Sequence, residues 1–515
     1  MRILYIDIDA LRPDHLSCYG YHRLTSPSID RLAADGLRFE NCYASDTPCC
    51  PSRTSLFLGQ PGICHGSVCH AGRRAVPYAE GQSRGFRDRP GRDSWPAALR
   101  EAGYHTATIS SFADRHGARW WQAGFHELHD TGGRGFERAD QVTPVILDWL
   151  DRQGATDQWF LHVNFWDVHT PYRTPSGFGA PFRDDPLPTW YDDALRQKHW
   201  TGAGPQGARE RGGLGGGDDH AGRYPRQPFE IASMDDVRRM FDGYDTAIRY
   251  VDKHIDLIVS RLETLGVLDD TAIMVSSDHG ETIGEFNIYG CHQLADHVTC
   301  RVPMIVRWPG VTDRPDSVRA DGALRYHFDI AASVIEAASG SVPESWHGRS
   351  FELGPNGIGD TGRDDLVLSH LQGSCQRSLR FRRDQQEFIC IRTYHDGYHG
   401  LPEAMLFDVG QDPHELHDLA EDRPDLVAWA FDRIEGWTRD HLEDGRPDPM
   451  ATVLAEGGPP HARGALNGYL DRLRATGRSV WADHFETRTR PFCRPAFGSA
   501  GDAAVTPSQF SETHP

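Results

Sequence analysis

Cys49-Cys50-Pro51-Ser52-Arg53 sets a thiol four residues before an arginine, and Thr54-Ser55-Leu56-Phe57-Leu58-Gly59 follows. A thiol so placed reads as a cysteine nucleophile, and its ordinary alternative is a loop cysteine beside a turn proline. Carboxylates with histidine neighbours recur along the chain as Asp9, as Asp167 with His169, and as Asp278 with His279. Together with an arginine, such groups suit an ester whose central atom is surrounded by anionic oxygens. A hard divalent cation held by oxygen ligands orients that group and neutralises charge as the leaving oxygen departs. Taken singly, each aspartate reads as a helix cap or a turn residue.

The elements that must position these groups are legible as short apolar runs. Residues 4–8, 106–109, 161–165, 272–275 and 302–306 read as buried strands with helical patterns between them. Ile248, Val251, Ile255, Ile258 and Leu262 recur at intervals of three and four and give a helix one apolar face. The alternation predicts an α/β fold with a mostly parallel sheet covered on both faces. In open α/β sheets ligands collect at the carboxyl ends of strands. Asp9, Asp167 with His169, and Asp278 with His279 lie just beyond predicted strands, so three distant stretches are expected to meet at one site.

At 515 residues the chain can build a large core, and a formal charge of -20 excludes a general nucleic-acid binder, which needs a basic face. It does not exclude an anionic substrate, because a metal and a few cations invert the potential inside one pocket. The opening residues read as a strand and not as a secretory signal, and no run of about 18 apolar residues suggests a membrane span. Eleven cysteines without a short repeated spacing argue against a disulfide framework and for a reduced, cytoplasmic setting. Cys64 and Cys69, next to His65 and His70, have zinc-ligand types but lack a second half at finger-like spacing.

C-x-P-S-R at 49–53 resembles the signature of the type I sulfatases of the alkaline phosphatase superfamily. Further stretches follow in the family's order: Asp7-Ile8-Asp9 with Leu11-Arg12-Pro13-Asp14, Ser26-Pro27-Ser28, Ser277-Asp278-His279-Gly280-Glu281, and Arg301-Val302-Pro303 running to Pro309-Gly310. The resemblance covers nearly the whole chain. It implies an alkaline phosphatase-like catalytic domain over residues 1–364 and a smaller C-terminal α+β domain over 365–497. A Gly-rich insertion at 202–223 and a polar tail at 498–515 complete the expected organisation.

The same resemblance implies the chemistry. Cys49 is converted to formylglycine (3-oxoalanine) by a formylglycine-generating enzyme. One hydroxyl of the hydrated aldehyde attacks sulfur, and the other then expels sulfate by restoring the aldehyde. Asp9, Asp278, His279 and the group derived from Cys49 hold one divalent metal; calcium is favoured, with magnesium and manganese open. Arg53 stabilises the hydrate. His169, in the D-x-H-x-P-Y stretch, touches the sulfate or the leaving oxygen and can donate its proton. His292 stands where the family usually has a lysine.

Departures from the pattern matter equally. Ala10 replaces a second metal-binding aspartate, and Asp7, two residues before Asp9 on the same strand face, reads as a support for the metal shell or, equally, as a buried structural residue. Ser111-Phe112-Ala113 replaces the family's K-x-H pair, leaving Arg115 or His116 as candidates to compensate. Trp120, Trp121 and Trp166 read as sugar-subsite residues or, more commonly, as packing. The first expectation is therefore a sulfuric ester hydrolase acting on a small-molecule or carbohydrate sulfate, with no nucleic-acid or membrane partner. A phosphonate monoester or phosphodiester hydrolase of the same superfamily is the alternative. A noncatalytic sulfated-ligand binder is the alternative of another class, weakened by the intact Cys49, Arg53, Asp9, Asp278 and His279.

Overall fold

The computed structural model describes residues 1–78, 89–207, 224–314, 316–354, 357–358, 360–442 and 445–489. Most of the predicted insertion (208–223) and the polar tail lie outside the described residues. The chain divides into two compact units, Met1–Leu466 and Asn467–Pro515. In the second, the helix Ser479–Thr489 brings Phe485 to 6.2 Å from the ring of Tyr469, and Arg474 pairs with Glu486.

The first unit is built on an eight-stranded sheet. Its centre is the parallel set Thr271–Ser276, Arg2–Ile8, Trp159–Phe165 and His105–Ile109, in that spatial order. These strands are apolar on both faces because helices cover both, which is why they read as continuous runs. The fifth predicted strand forms as Met304–Arg307 and runs antiparallel to both neighbours. Leu37–Tyr43 and Ala320–Tyr326 extend the sheet beyond it. The predicted amphipathic helix is the end of a longer one, Met234–Thr264, whose Ile248, Val251, Ile255, Ile258 and Leu262 are all buried.

A smaller domain carries a five-stranded sheet: Ala404–Asp408, Gln386–His395, Cys375–Arg383, Asp365–His370 and, at its edge, Asp46–Thr47. That last two-residue strand lies immediately before Cys49, and Thr47 Oγ1 is 2.9 Å from His370 Nδ1. Both sheets therefore hold the segment that carries the candidate nucleophile. Among the described residues, no helix is long and apolar enough to cross a membrane.

Candidate active site

Four adjacent parallel strands deliver the site. Asp9 follows Arg2–Ile8, and its N–H donates to the Phe165 carbonyl across the strand pair at 2.9 Å. Asp167 and His169 follow Trp159–Phe165, Asp278 and His279 follow Thr271–Ser276, and Arg115 and His116 follow His105–Ile109 on a short helix. The predicted convergence at the carboxyl ends of the strands is observed for Asp9, His169, Asp278 and His279, whereas Asp167 neighbours Arg173 and Ala139 instead.

Cys49 is the first residue of the helix Cys49–Leu58, every residue of which is buried. Unpaired N–H groups at such a terminus favour negative charge. Four residues on, one helical turn, Arg53 shares the face of Cys49. The helix stops at Gly59, whose φ of +63° and closeness to Trp346 exclude a side chain: a Cβ there would lie 2.0 Å from the ring. Gly280 is equally constrained, with a Cβ falling 1.9 Å from the Val298 carbonyl oxygen. A larger residue there would push the Asp278-His279 turn off its seat.

Arg53 ties three carboxylates together. It forms a two-pronged pair with Asp7 (2.7 and 3.1 Å), and its Nη1 reaches Asp9 at 2.9 Å and Asp278 at 2.6 Å. All four side chains are buried. Burial opposes the charge on each carboxylate, but the Arg53 guanidinium holds Asp7 and Asp9 below the ordinary carboxylate range. For Asp278 burial wins, aided by repulsion from Asp9, and its pKa is raised. Asp7 thus pairs with Arg53, on the strand face it shares with Asp9.

Asp9, Cys49, Asp278 and His279 offer ligand atoms all within 4.8 Å of one another. His279 Nδ1–H donates to the Gly280 carbonyl at 2.7 Å, which leaves Nε2 facing Cys49 Sγ at 3.1 Å and Asp278 Oδ2 at 3.3 Å. That hydrogen bond fixes the tautomer a metal-binding imidazole needs. Asp9 Oδ1 is buried and has no hydrogen-bond partner. Three carboxylates around one arginine, an orphaned oxygen and an oriented imidazole fit a divalent cation. Ala10 adds no ligand; its φ is +62° and its N–H donates to Asp278 Oδ1 at 3.2 Å.

The other predicted histidines are close by. The His292 ring lies 4.1 Å from that of His279 and 5.1 Å from that of His169. His292 Nδ1 has no hydrogen-bond partner, and the nearest acid, Glu281, is 3.9 Å away. Burial pushes both down, His169 to about 3. The Cys49 thiol is pushed well up by burial and by Asp9 and Asp278.

Sequence reasoning named His116 as a candidate to compensate for the missing K-x-H pair and missed its neighbour His70: both bring ligand atoms within 4.8 Å of Cys49, with ring centroids 4.7 Å apart. Cys64, Cys69 and His65, whose spacing argued against a zinc finger, take separate partners: Cys69 faces the Leu371 carbonyl, His65 bonds Ser55, and Cys64 groups with His347 and His441. Buried Glu281 and Arg173 also went unflagged, although Arg173 directly follows the D-x-H-x-P-Y stretch. Trp121 and Trp166 are buried, and Trp166 packs 5.0 Å from both the Arg53 and Arg115 guanidiniums.

The sulfatase family model matches residues 2–341. An N-acetylglucosamine-6-O-sulfatase of Bacteroides thetaiotaomicron is 22% identical over 532 aligned positions, spanning 88% of this chain and 89% of the relative. A choline-sulfatase of Rhizobium meliloti is 25% identical over 466 positions, 80% of this chain and 82% of the relative. Among solved structures, the phosphonate monoester hydrolase of Agrobacterium radiobacter shares the fold with a TM-score of 0.62 at 19% identity, over 86% of this chain and 96% of that one. With its family signature, mostly parallel sheet and strand-end site in agreement, the chain belongs to the sulfatase family of hydrolases.

Proposed function

We propose that the protein hydrolyses a sulfate monoester through formylglycine formed at Cys49 and one divalent metal ion. The observation that carries this reading is the grouping of Asp9, Cys49, Asp278 and His279 at the ends of adjacent strands, with Asp9 Oδ1 left unpaired. The state of Cys49 supports it further. A thiol buried between two carboxylates has no thiolate to offer near neutral pH, so an unmodified Cys49 is a poor nucleophile.

Each residue then has a definite task. Asp9, Asp278 and His279 would hold the ion, which supplies Lewis acidity to the sulfate oxygens. Hydrated formylglycine supplies the oxygen nucleophile; in the structure Cys49 Sγ stands in for its oxygens. Arg53, anchored by Asp7, holds Asp9 and Asp278 in their ligating arrangement. The Gly280 carbonyl keeps His279 in the tautomer with Nε2 free. His169 and His292 flank the space beside Cys49 and are the candidate donors to the leaving oxygen; an arriving anion raises their pKa from the depressed values that burial imposes.

The favoured ion is calcium, with magnesium or manganese as alternatives. The substrate is a small-molecule or carbohydrate sulfate, a range bracketed by relatives named as sulfatases of N-acetylglucosamine and choline. A formylglycine-generating enzyme is the maturation partner. The buried thiols of Cys42, Cys49, Cys50, Cys69, Cys300, Cys375 and Cys390 support a reducing, cytoplasmic setting. We set the boundary of the smaller domain at residue 365, where its first long strand begins.

The test is the mass of the peptide containing Cys49 after co-expression with a formylglycine-generating enzyme. Conversion lowers it by about 18 Da, and activity is expected to rise with the converted fraction. Undiminished activity with an intact thiol would sink the mechanism. A second reading, phosphonate monoester or phosphodiester hydrolysis, is favoured by the absence of lysine from the site; the sequence has only Lys198 and Lys253. Faster turnover of a phosphodiester than of an aryl sulfate decides for it.

A further inference from the structure

Outward from the metal-binding carboxylates runs an alternation of guanidiniums and aromatic rings. Arg53 lies 5.0 Å from the Trp166 ring, Arg115 lies 5.0 Å from the same ring and 5.7 Å from that of Phe136, and Arg173 lies 5.3 Å from Phe136. The first arginine is neutralised three times over by Asp7, Asp9 and Asp278. The other two make no ion pair among the described residues. Arg115 is half-buried and donates to the Arg134 carbonyl. Arg173 is 6% exposed, donates only Nη1, to the Trp166 carbonyl, and leaves Nε and Nη2 without a hydrogen-bond partner.

Two like charges held together without a counterion are unfavourable; burial, with Arg115 adding to it, pushes Arg173 down to about 10. Asp167 is the acid that most favours the charge on Arg173, yet it forms no ion pair with it. Burial lifts Asp167 to about 7, so near neutral pH it is only partly ionised. Trp166 links both arginines to the reacting centre: its ring lies between the Arg53 and Arg115 guanidiniums at 5.0 Å from each, and its carbonyl accepts from Arg173. Phe136, 43% exposed between them, offers a ring face at the surface.

A sulfate monoester brings one negative charge. The carboxylates are balanced by Arg53 together with a divalent ion, so one negative charge cannot satisfy two further guanidiniums. We propose that Arg115 and Arg173 form a subsite that selects sulfate esters whose leaving group carries a second oxyanion, a carboxylate or a second sulfate, with its ring seated against Phe136. The proposal rests on the sulfatase reading and narrows its substrate class.

The experiment compares phenyl sulfate, 3-carboxyphenyl sulfate and resorcinol disulfate, whose meta substituents add charge at a distance from the scissile bond. The matured, calcium-loaded enzyme gives kcat/KM, and the Cys49→Ala protein gives Kd by calorimetry. Both dianions are expected to be preferred about tenfold or more, as one added charge-assisted contact allows. Arg173→Gln is expected to cut that preference by about tenfold, and Arg173→Lys to retain part of it. A preference for the carboxylate alone or the disulfate alone identifies which oxyanion is read. Equal Kd for all three probes overturns the subsite whatever the turnover. So does an Arg173→Gln protein whose losses are uniform across the probes. If no sulfate is turned over while the Kd preference persists, the reaction assignment fails and the subsite stands.

Discussion

Two buried arginines, Arg12 and Arg53, anchor neighbouring clusters with different outcomes. Arg12 makes a two-pronged pair with Asp14 at 2.9 and 2.7 Å, bonds Glu285 at 2.9 Å and donates to the Glu281 carbonyl. Glu285 is satisfied in turn by His414 at 3.0 Å and by the Ile283 N–H at 2.8 Å. Arg53 faces one carboxylate more and still leaves Asp9 Oδ1 unpaired. The closed network is a clamp; the open one has room for a cation and a reacting group. Polar groups that a structure buries without satisfying are the better pointer to function.

The largest expected break in this comparison is Cys49→Ala, which should lower kcat by at least about a thousandfold while shifting thermal unfolding by only a few degrees. Next come Arg53→Met and Arg12→Met. Each strands buried carboxylates at a cost of about 3–5 kcal/mol in urea unfolding. Millimolar calcium should restore part of the loss for Arg53→Met and none for Arg12→Met, and equal behaviour would erase the distinction.

Glu285 supplies a pH test on the closed side. Burial opposes its charge, but Arg12 and then His414 hold its pKa at about 2, below the unfolded value near 4.5. Its stabilisation is therefore complete above about pH 4.5 and lost as pH falls through about 2. Glu285→Gln should cost about 3 kcal/mol at pH 7, with the difference from wild type shrinking towards pH 2. The smallest effect is on the open side. A divalent ion at about a hundred times its Kd should add about 2.7 kcal/mol of stability, chelation should remove it, and Asp278→Asn should abolish the response.

Much of this was legible beforehand, for stated physical reasons. Strands buried on both faces declare themselves as apolar runs, and the carboxylates at their ends mark where the chain leaves the sheet. Leu37–Tyr43 and Ala320–Tyr326 were harder, since their burial is uneven and polar residues interrupt them. The strand Asp46–Thr47 has no periodicity to read at two residues, although it joins the nucleophile segment to the smaller sheet. Asp9, Cys49, Asp278 and His279 stood out through motif order. His116 was reached only as one of two candidates and His70 not at all, because 27 histidines dilute any single one and only folding brings these two to Cys49. Arg173 was hidden because an unpaired cation is a property of its surroundings.

The scarcity of lysine has a consequence for handling the protein. An aldehyde at Cys49 would stand among imidazoles, guanidiniums and carboxylates, whereas the residue that condenses readily with carbonyls is lysine. The chain's two lysines sit on the helices Asp193–Trp200 and Met234–Thr264, away from the Cys49–Leu58 helix in sequence. With lysine this scarce, the carbonyl stays free for water and equally for an added aminooxy reagent. The matured enzyme would thus carry a single-position chemical handle whose labelling yield counts the active molecules in a preparation.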